Sequence, residues 1–182
     1  ESILVAEACG RVLAEDVASD IDSPPYDKAL MDGYAVIAAD LASGEAELEV
    51  LEEIMAGAVP TKRVIRGAAT RIMTGAPMPA GADSVVMVEE TERLGERVRI
   101  RSKIGPGKNL MTRGLSMRAG ETILKAGAEI RPVEIGLLSE VGRTTLRAIR
   151  MPSVALLPTG DEVVEPHLLP GAGQIRNSNG PM

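Results

Sequence analysis

The chain has 182 residues, 45% of them hydrophobic, and a formal net charge of −6 at neutral pH. This length allows one domain or two small ones, with a core of aliphatic side chains and Met because Phe and Trp are absent. The acidic balance argues against nucleic-acid binding, and no apolar run approaches the roughly 20 residues of a membrane span. One His and one Cys exclude a His/Cys zinc site, a Cys–His catalytic pair and an intrachain disulfide. We therefore expect a cytoplasmic protein whose catalysis, if any, uses carboxylates, hydroxyls, basic side chains and backbone groups.

The N-terminal residues predict a short helix from Ser2 to Cys9, with Ser2 as a possible N-cap and Gly10 as its stop. Glu1 resembles an internal residue of a longer chain more than a natural N-terminus.

The segment from Ser23 to Val36 is the least ordinary part of the sequence. Pro24 and Pro25 stiffen it, and the Asp32-Gly33 pair predicts a tight turn that leads into a strand at Tyr34. The segment carries both aromatic residues of the protein, Tyr26 and Tyr34, and two carboxylates, Asp27 and Asp32. Its residues alone leave two interpretations open: a linker ending in a turn, or a functional loop.

From Tyr34 to about Leu124, short strand patterns separated by turns predict a small β-barrel or sandwich. The candidate strands, in chain order, are 45–50, 71–74, 84–88 and 97–104. Residues 72–86 form a strand, a Gly/Pro-rich loop and a second strand, which is also typical of an ordinary β-connection.

Basic residues alternate with apolar ones along 97–104. Three interpretations stay open for this basic face: a solvated strand face, an anion-binding surface, or a subunit contact with the acidic face of Glu45, Glu47 and Glu49. The Gly105–Lys108 segment lacks the spacing of a phosphate loop, and His167 is predicted to be a loop residue.

Helical character returns at 132–142, where Pro132 suits the first helical position and Gly142 the stop. We expect this helix to pack against the N-terminal helix, so that the β-rich region interrupts one α-containing domain. The apolar run 154–157 predicts a strand buried on both faces of a parallel sheet, with a turn at 159–162 and a helix start at 177–179. The last thirty or so residues therefore read as the opening of a truncated α/β domain.

Four segments together resemble the MoeA family of molybdopterin molybdenumtransferases, which includes the gephyrin E domain. They are Met31–Val36 after its Pro-rich lead, the Thr-Gly-Ala-Pro motif with its continuation to Asp83 over 74–83, the Thr-Gly-Asp-Glu motif at 159–162, and 173–179. They occur in the family's order, and the similarity runs through the whole chain.

The resemblance implies an α+β multidomain fold. Residues 1–26 and 119–150 would form an elongated, dimerising mixed α/β first domain. Residues 27–118 would form a β-rich, barrel-like second domain, and 151–182 the truncated beginning of a parallel-sheet α/β, MogA-like, molybdopterin-binding domain. Family members are homodimers that share the active site between the second domain of one subunit and the third domain of the other.

The resemblance also implies the reaction: insertion of molybdate into adenylylated molybdopterin, with Mg²⁺-dependent release of AMP. A MogA-like molybdopterin adenylyltransferase would act upstream as a partner. By motif match, the implied residues are catalytic Asp32, Thr74 and Glu162, cofactor-binding Thr159, Gly160, Asp161, Asn177 and Ser178, and metal-binding Asp161 and Glu162.

The loop after the basic strand departs from the family pattern. Many members have an Asn-x-Arg motif followed by Gly-Glu-Asp, where this chain has Met111, Leu115 and Ser116 in place of the Arg and both acids. Two alternatives therefore accompany the transferase: a catalytically silent scaffold of the same fold, as in gephyrin, and a β-rich dimerisation module unrelated to molybdenum. We expect the 182-residue chain alone to be inactive, because it lacks most of the implied pterin pocket.

Overall fold

The computed structural model describes every residue from Glu1 to Met182. The chain forms two compact units, one of residues 2–148 and one of residues 149–182 with Glu1. The first unit contains the only α-helix, and the fold is mostly β. No helix is long and apolar enough to cross a lipid bilayer.

The regular elements are short, and most of them are strands. The α-helix is α1 (Pro132–Glu140). The strands are β1 (Ser2–Leu4), β2 (Val17–Ala18), β3 (Lys28–Ala29), β4 (Gly33–Val36), β5 (Ala46–Ile54), β6 (Ala68–Ile72), β7 (Ser84–Met87), β8 (Thr91–Leu94), β9 (Arg97–Ile100), β10 (Leu110–Met111), β11 (Thr122–Leu124), β12 (Thr145–Arg147), β13 (Val163–Val164) and β14 (Ile175–Arg176).

A six-stranded sheet in the order β7-β4-β6-β5-β9-β8 organises the middle of the chain. Its pairs are antiparallel except β5 with β6, and it curls into a half-barrel rather than closing. β4 lies between β6 and β7 and is buried throughout, as suits its run of small and apolar residues. Aliphatic side chains such as Val36, Val86 and Ile100 fill the core that the sheet encloses.

Two predicted strands are present, but their bounds differ from the predicted 71–74 and 97–104. β6 covers 68–72 and ends before Thr74, which leaves Thr74 in the loop that follows. β9 ends at Ile100, although the alternating pattern continues to Ile104, because Ile100 pairs with Ala46, the first residue of β5. Beyond that point the alternation has no partner strand.

The acidic and basic faces of the sheet neutralise each other within the chain. Arg97 Nε lies 3.1 Å from Glu47 Oε1, and Arg101 Nε lies 3.3 Å from Glu45 Oε1. Arg99 pairs with Glu92 at 3.2 Å. All are at least one-third exposed, so each pair contributes at most about 1 kcal/mol. The geometry fits a solvated strand face better than a free anion-binding surface.

The N-terminal helix prediction is wrong. Ser2–Leu4 pairs with Thr145–Arg147 as a strand, and only Val5–Glu7 forms a single 3₁₀ turn. This segment pairs with a strand about 140 residues away in the chain. Local helix and strand propensities cannot predict such a distant pairing.

The predicted C-terminal helix is present as α1 and supplies a second core. Leu138 is fully buried and packs with Val5, Leu13 and Ile130, so the helix contacts the 3₁₀ turn instead of the expected second helix. This core draws its buried residues from 5–17 and 117–148, while the sheet's cores draw theirs from 29–100. The domain boundaries at 26/27 and 118/119 stay predictions.

Glu134 and Arg131 give α1 a pH-dependent N-terminus. The Glu134 carboxylate accepts hydrogen bonds from the Arg131 side chain and from its backbone N–H at 3.0 Å, which lowers the pKa of Glu134 from 4.5 to about 2. A carboxylate with a depressed folded-state pKa stabilises fully above its ordinary pKa and loses that stabilisation as the pH falls toward the folded value.

We expect Glu134→Gln to lower the Tm at neutral pH, and the difference from the unaltered chain to shrink as the pH falls from 4.5 toward about 2. Thermal unfolding across acidic pH checks this, with Glu7→Gln, an exposed carboxylate, as control. A Tm difference that does not change between pH 7 and the most acidic folded condition contradicts the assignment.

In the second unit, two predictions are wrong. Residues 154–157 form no strand, and Val154 and Leu157 are each 81% exposed. No helix begins at 177–179. A buried central strand requires partners on both sides, and within this unit the only pairing is the parallel pair β13 and β14. His167 lies in an exposed turn, as predicted.

Candidate functional site

Asp32 and Thr74, far apart in sequence, form a two-hydrogen-bond clamp in the first unit. Both the backbone N–H and the hydroxyl of Thr74 donate to Asp32 Oδ1, each at 2.7 Å. Asp32 Oδ2 accepts no hydrogen bond from the protein, and both residues are exposed. One carboxylate oxygen is therefore held by the protein while the other is available to a ligand.

The clamp favours the ionised form of Asp32. The backbone and side-chain hydrogen bonds from Thr74 lower the pKa of Asp32 below its usual 3.8, and the positive charge of Arg71 adds to the effect. Asp32 is accordingly an anion at neutral pH, suited to accepting a hydrogen bond or binding a cation.

Gly33 makes the turn that presents Asp32 possible. A Cβ at Gly33 would lie 1.8 Å from the carbonyl oxygen of Val86, on the neighbouring strand β7. The Val88 N–H donates to the Asp32 carbonyl at 3.0 Å, which fixes the turn from the same side. Only glycine allows this close approach.

The two loops that carry the clamp are joined along their length. Ala29 N–H donates to the Ala76 carbonyl at 3.0 Å, and Gly75 N–H donates to the Ala29 carbonyl at 2.9 Å. Met78 N–H donates to the Asp27 carbonyl at 2.8 Å. These backbone bonds, rather than side-chain packing, set the distance between Asp32 and Thr74.

A third segment, residues 109–117, straps the Pro-rich loop in place. The Gly114 N–H donates to the Pro24 carbonyl at 2.9 Å. Arg113 uses its backbone N–H to bond Asp27 at 2.7 Å and its side chain to bond Asp22 at 2.6 Å. The Asp27 carboxylate thus already accepts a hydrogen bond from this strap.

The surface around the clamp is rich in exposed apolar groups. Tyr26, Leu30 and Met31 are each 41–43% exposed. A cavity of about 450 Å³ lies between the Pro-rich loop and residues 78–82, with Asp27 and Arg113 in its wall. A patch of this kind on an otherwise acidic chain is typical of a surface that is covered in the working protein.

Four of the predicted cofactor and metal residues line one cavity in the second unit. This cavity, of about 400 Å³, is bounded by Thr159, Glu162, Asn177 and Ser178, together with apolar side chains from 156–163 and 175. Asp161 and Gly160 are not in its wall. The Asn177 side chain accepts a hydrogen bond from the Gly180 N–H at 2.8 Å, in a turn instead of the predicted helix start.

The family model of the MoeA N-terminal region, domains I and II, matches residues 1–142. The chain belongs to the MoeA family. It is 38% identical to the molybdopterin molybdenumtransferase of Staphylococcus aureus (strain Mu50 / ATCC 700699) over 185 aligned residues, which cover 100% of this chain and 44% of that protein. It is 40% identical to the Staphylococcus epidermidis (strain ATCC 12228 / FDA PCI 1200) enzyme of the same name, with the same coverage.

Solved structures agree with this assignment. The crystal structure of the molybdopterin biosynthesis MoeA protein from Pyrococcus horikoshii OT3 superposes with a TM-score of 0.87 at 35% identity, covering 92% of this chain and 46% of that one. A second structure of a Pyrococcus MoeA protein gives a TM-score of 0.82 and covers 100% of this chain and 47% of that one. The chain thus spans less than half the length of these relatives, and its predicted membership of the MoeA family is confirmed.

The MoeA-family chain contains no group of three or more His, Cys, Asp or Glu side chains that could hold a metal ion. Mg²⁺ commonly uses only one or two protein carboxylates and takes its other oxygens from phosphates and water. The Glu162 carboxylate in the cavity wall fits that role, whereas Asp161, outside the wall, does not reach the cavity.

Sequence reasoning missed two residues of this MoeA-family site. Arg71 lies on β6 opposite Tyr34, and Arg113 is the centre of the strap. The sequence patterns around Arg71 and Arg113 do not indicate these roles, because the residues that they contact are distant in the chain. Arg71 precedes Thr74 by three residues, and that spacing is the one signal that could have found it.

Removing the Thr74 hydroxyl tests the clamp directly. We expect Thr74→Val to raise the pKa of Asp32 toward 3.8 without reaching it, because the backbone N–H of residue 74 still donates. Carbon-13 NMR titration of the Asp32 carboxyl measures this, with Thr61→Val as a control hydroxyl that bonds Glu52 instead. An unchanged Asp32 titration would show that the side-chain bond is absent in solution.

Proposed function

We propose that this chain is the Asp32-bearing part of a molybdopterin molybdenumtransferase, which inserts molybdate into adenylylated molybdopterin and releases AMP. The observation that supports the proposal is the clamp, since an exposed, ionised carboxylate with one oxygen fixed is a suitable group for orienting a reactant. The relatives of that name are 38–40% identical to this chain over 185 aligned residues, which cover 44% of each relative.

In this proposal, Asp32 Oδ2 accepts a hydrogen bond from the oxygen that reacts at the substrate's phosphate linkage. Thr74 holds the carboxylate in one orientation, which lowers the entropic cost of reaching the reactive geometry. Glu162, in the cavity wall, would hold a Mg²⁺ ion, which when bound would supply positive charge against the phosphate groups. Thr159, Asn177 and Ser178, which line this cavity, would bind the pterin-linked phosphates through their side-chain hydroxyl and amide groups.

We further propose the dimeric arrangement that the family resemblance implies. The exposed Tyr26, Leu30 and Met31 beside Asp32 support a covering partner, which would be the third domain of a second subunit. Residues 151–182 would begin that domain, and the parallel pairing of β13 with β14 is consistent with a parallel sheet. The adenylylated substrate would come from a MogA-like adenylyltransferase.

The three departures from the family pattern favour a second candidate, the silent scaffold. Leu115, where the family commonly has an acid, is 66% exposed. However, at Ser116 the strap bonds the Pro-rich loop through its backbone, because the Ser116 N–H donates to the Ser23 carbonyl at 2.9 Å. The substitutions at 111, 115 and 116 therefore leave the clamp intact, which supports the transferase over the scaffold.

A chimera separates the two candidates. This chain would replace the matching segment of the Staphylococcus aureus enzyme, and molybdate-dependent AMP release from adenylylated molybdopterin would be measured beside the unaltered enzyme. We expect release within about tenfold of the control. A folded chimera with the native oligomeric state but no molybdate-dependent release supports the scaffold and contradicts the transferase.

A further inference from the structure

The guanidinium of Arg71 lies directly behind the turn that carries Asp32. Its central carbon is 5.1 Å from the centroid of the Tyr34 ring, within range of a cation–π contact, and that ring is only 3% exposed. Arg71 Nη1 donates to the carbonyl of Gly33, the residue after Asp32, at 3.2 Å. The guanidinium is therefore held between a buried aromatic face and the backbone of the turn.

Strand β6 and the loop that follows it provide the side chains that bond this turn, Arg71 and Thr74. Arg71 pairs in register with Tyr34, and β6 then leads into Thr74, whose two donors hold Asp32 Oδ1. Arg71 makes no direct ion pair with Asp32, so its charge acts on the carboxylate through space. The two Thr74 hydrogen bonds are the larger causes of the lowered Asp32 pKa, and the charge of Arg71 is a smaller one.

We propose that Arg71 is a positioning residue for Asp32, fixing the Asp32–Gly33 turn through the Gly33 carbonyl and supplying the nearby positive charge that favours the ionised, correctly oriented carboxylate. This inference rests on the proposed function of Asp32. It assigns to Arg71 a contact with the turn, and no contact with substrate.

The chemistry of the position requires arginine rather than any cation. A planar guanidinium can lie over the Tyr34 ring and donate to a carbonyl at its edge, whereas an ammonium group is compact and cannot do both in the same way. Lysine would keep the charge and lose the geometry, and glutamine would keep a donor and lose the charge. These two substitutions separate the two parts of the proposal.

The neighbouring cavity contains the matched control. A space of about 380 Å³ is lined by Tyr34, Glu53, Arg71, Val88, Thr91 and Arg93. Arg93 is exposed and bonds only the Gly95 carbonyl, with no contact to the turn. Glu53, from β5, also lines this space, and it is retained in every variant compared.

The first measurement is the carbon-13 titration of the Asp32 carboxyl in this chain, which requires no activity. We expect Arg71→Gln to raise the pKa of Asp32, Arg71→Lys to raise it less, and Arg93→Gln to leave it unchanged. A purely structural role for Arg71 would lower the Tm without moving the titration. An Asp32 titration that Arg71→Gln does not move, in a variant that remains folded, overturns the proposal.

The second measurement uses the chimera with the Staphylococcus aureus enzyme. We expect Arg71→Gln to lower kcat for AMP release by about tenfold or more with little change in KM, as loss of orientation does, and Arg93→Gln to stay within about twofold. An equal loss in both variants would overturn the inference. A chimera without activity even when unaltered would contradict the proposed function, and the titration would still decide the role of Arg71.

Discussion

Replacing Asp32 by Asn in the chimera is expected to lower molybdate-dependent AMP release by about 10² to 10³-fold, the range for removing one preorganised electrostatic contact with a reacting group. Asn retains an oxygen that can accept both Thr74 hydrogen bonds, so the loop geometry persists while the negative charge is lost. The loss should therefore appear in kcat without a matching fall in Tm.

The matched control is Asp16→Asn. Asp16 is also an exposed carboxylate that accepts a backbone hydrogen bond, from Ala126 at 2.9 Å, and it bonds Lys125. It lies on the segment before β2 and has no contact with the Asp32 loop. An Asp32→Asn rate within about threefold of the unaltered chimera would contradict a catalytic role for Asp32.

Replacing Gly33 by Ala should cause the largest loss of stability of any single methyl addition to the sheet. The new Cβ would lie 1.8 Å from the Val86 carbonyl oxygen, a backbone atom that cannot rotate away. β4 would have to separate from β7, which breaks the hydrogen bonds between this edge strand and its only neighbour in the six-stranded sheet. We expect the free energy of unfolding to fall by about 3 kcal/mol.

Gly136→Ala adds the same methyl group at a position where we expect it to increase stability. Gly136 lies within α1, and a Cβ there would meet no atom within 4 Å. Because Ala is the better helix former by about 1 kcal/mol, this variant should be more stable than the unaltered chain. Urea unfolding measures the free energy of unfolding of both variants. A decrease of less than about 1 kcal/mol for Gly33→Ala would mean that β4 and β7 do not approach as closely as described.

The residues that could be predicted from the sequence are those whose structure depends on neighbours in the chain. The Asp32-Gly33 turn with β4, the acid–apolar alternation of β5 and the Pro-initiated helix α1 are encoded by local patterns. Asp32 and Thr74 are named together only through the family resemblance, since nothing local connects residues separated by 42 positions.

The failures have a common physical cause. Ser2–Leu4 forms a strand because Thr145–Arg147 is available to pair with it, and 154–157 forms none because no partner strand is present in its unit. In both cases, whether the segment forms a strand depends on a distant partner strand, which hydrophobic periodicity does not predict. The same applies to Arg71 and Arg113, whose importance lies in what they contact and not in the pattern around them.

We propose that the Asp32 site serves molybdenum insertion and not merely hydrolysis of the adenylylated pterin. The most direct measurement is the amount of molybdenum bound in the pterin product of the chimera, determined together with AMP in the same reaction. We expect one molybdenum to be incorporated for each AMP released, and both quantities to fall together in Asp32→Asn. AMP release without molybdenum incorporation, or incorporation that Asp32→Asn leaves intact, would contradict it.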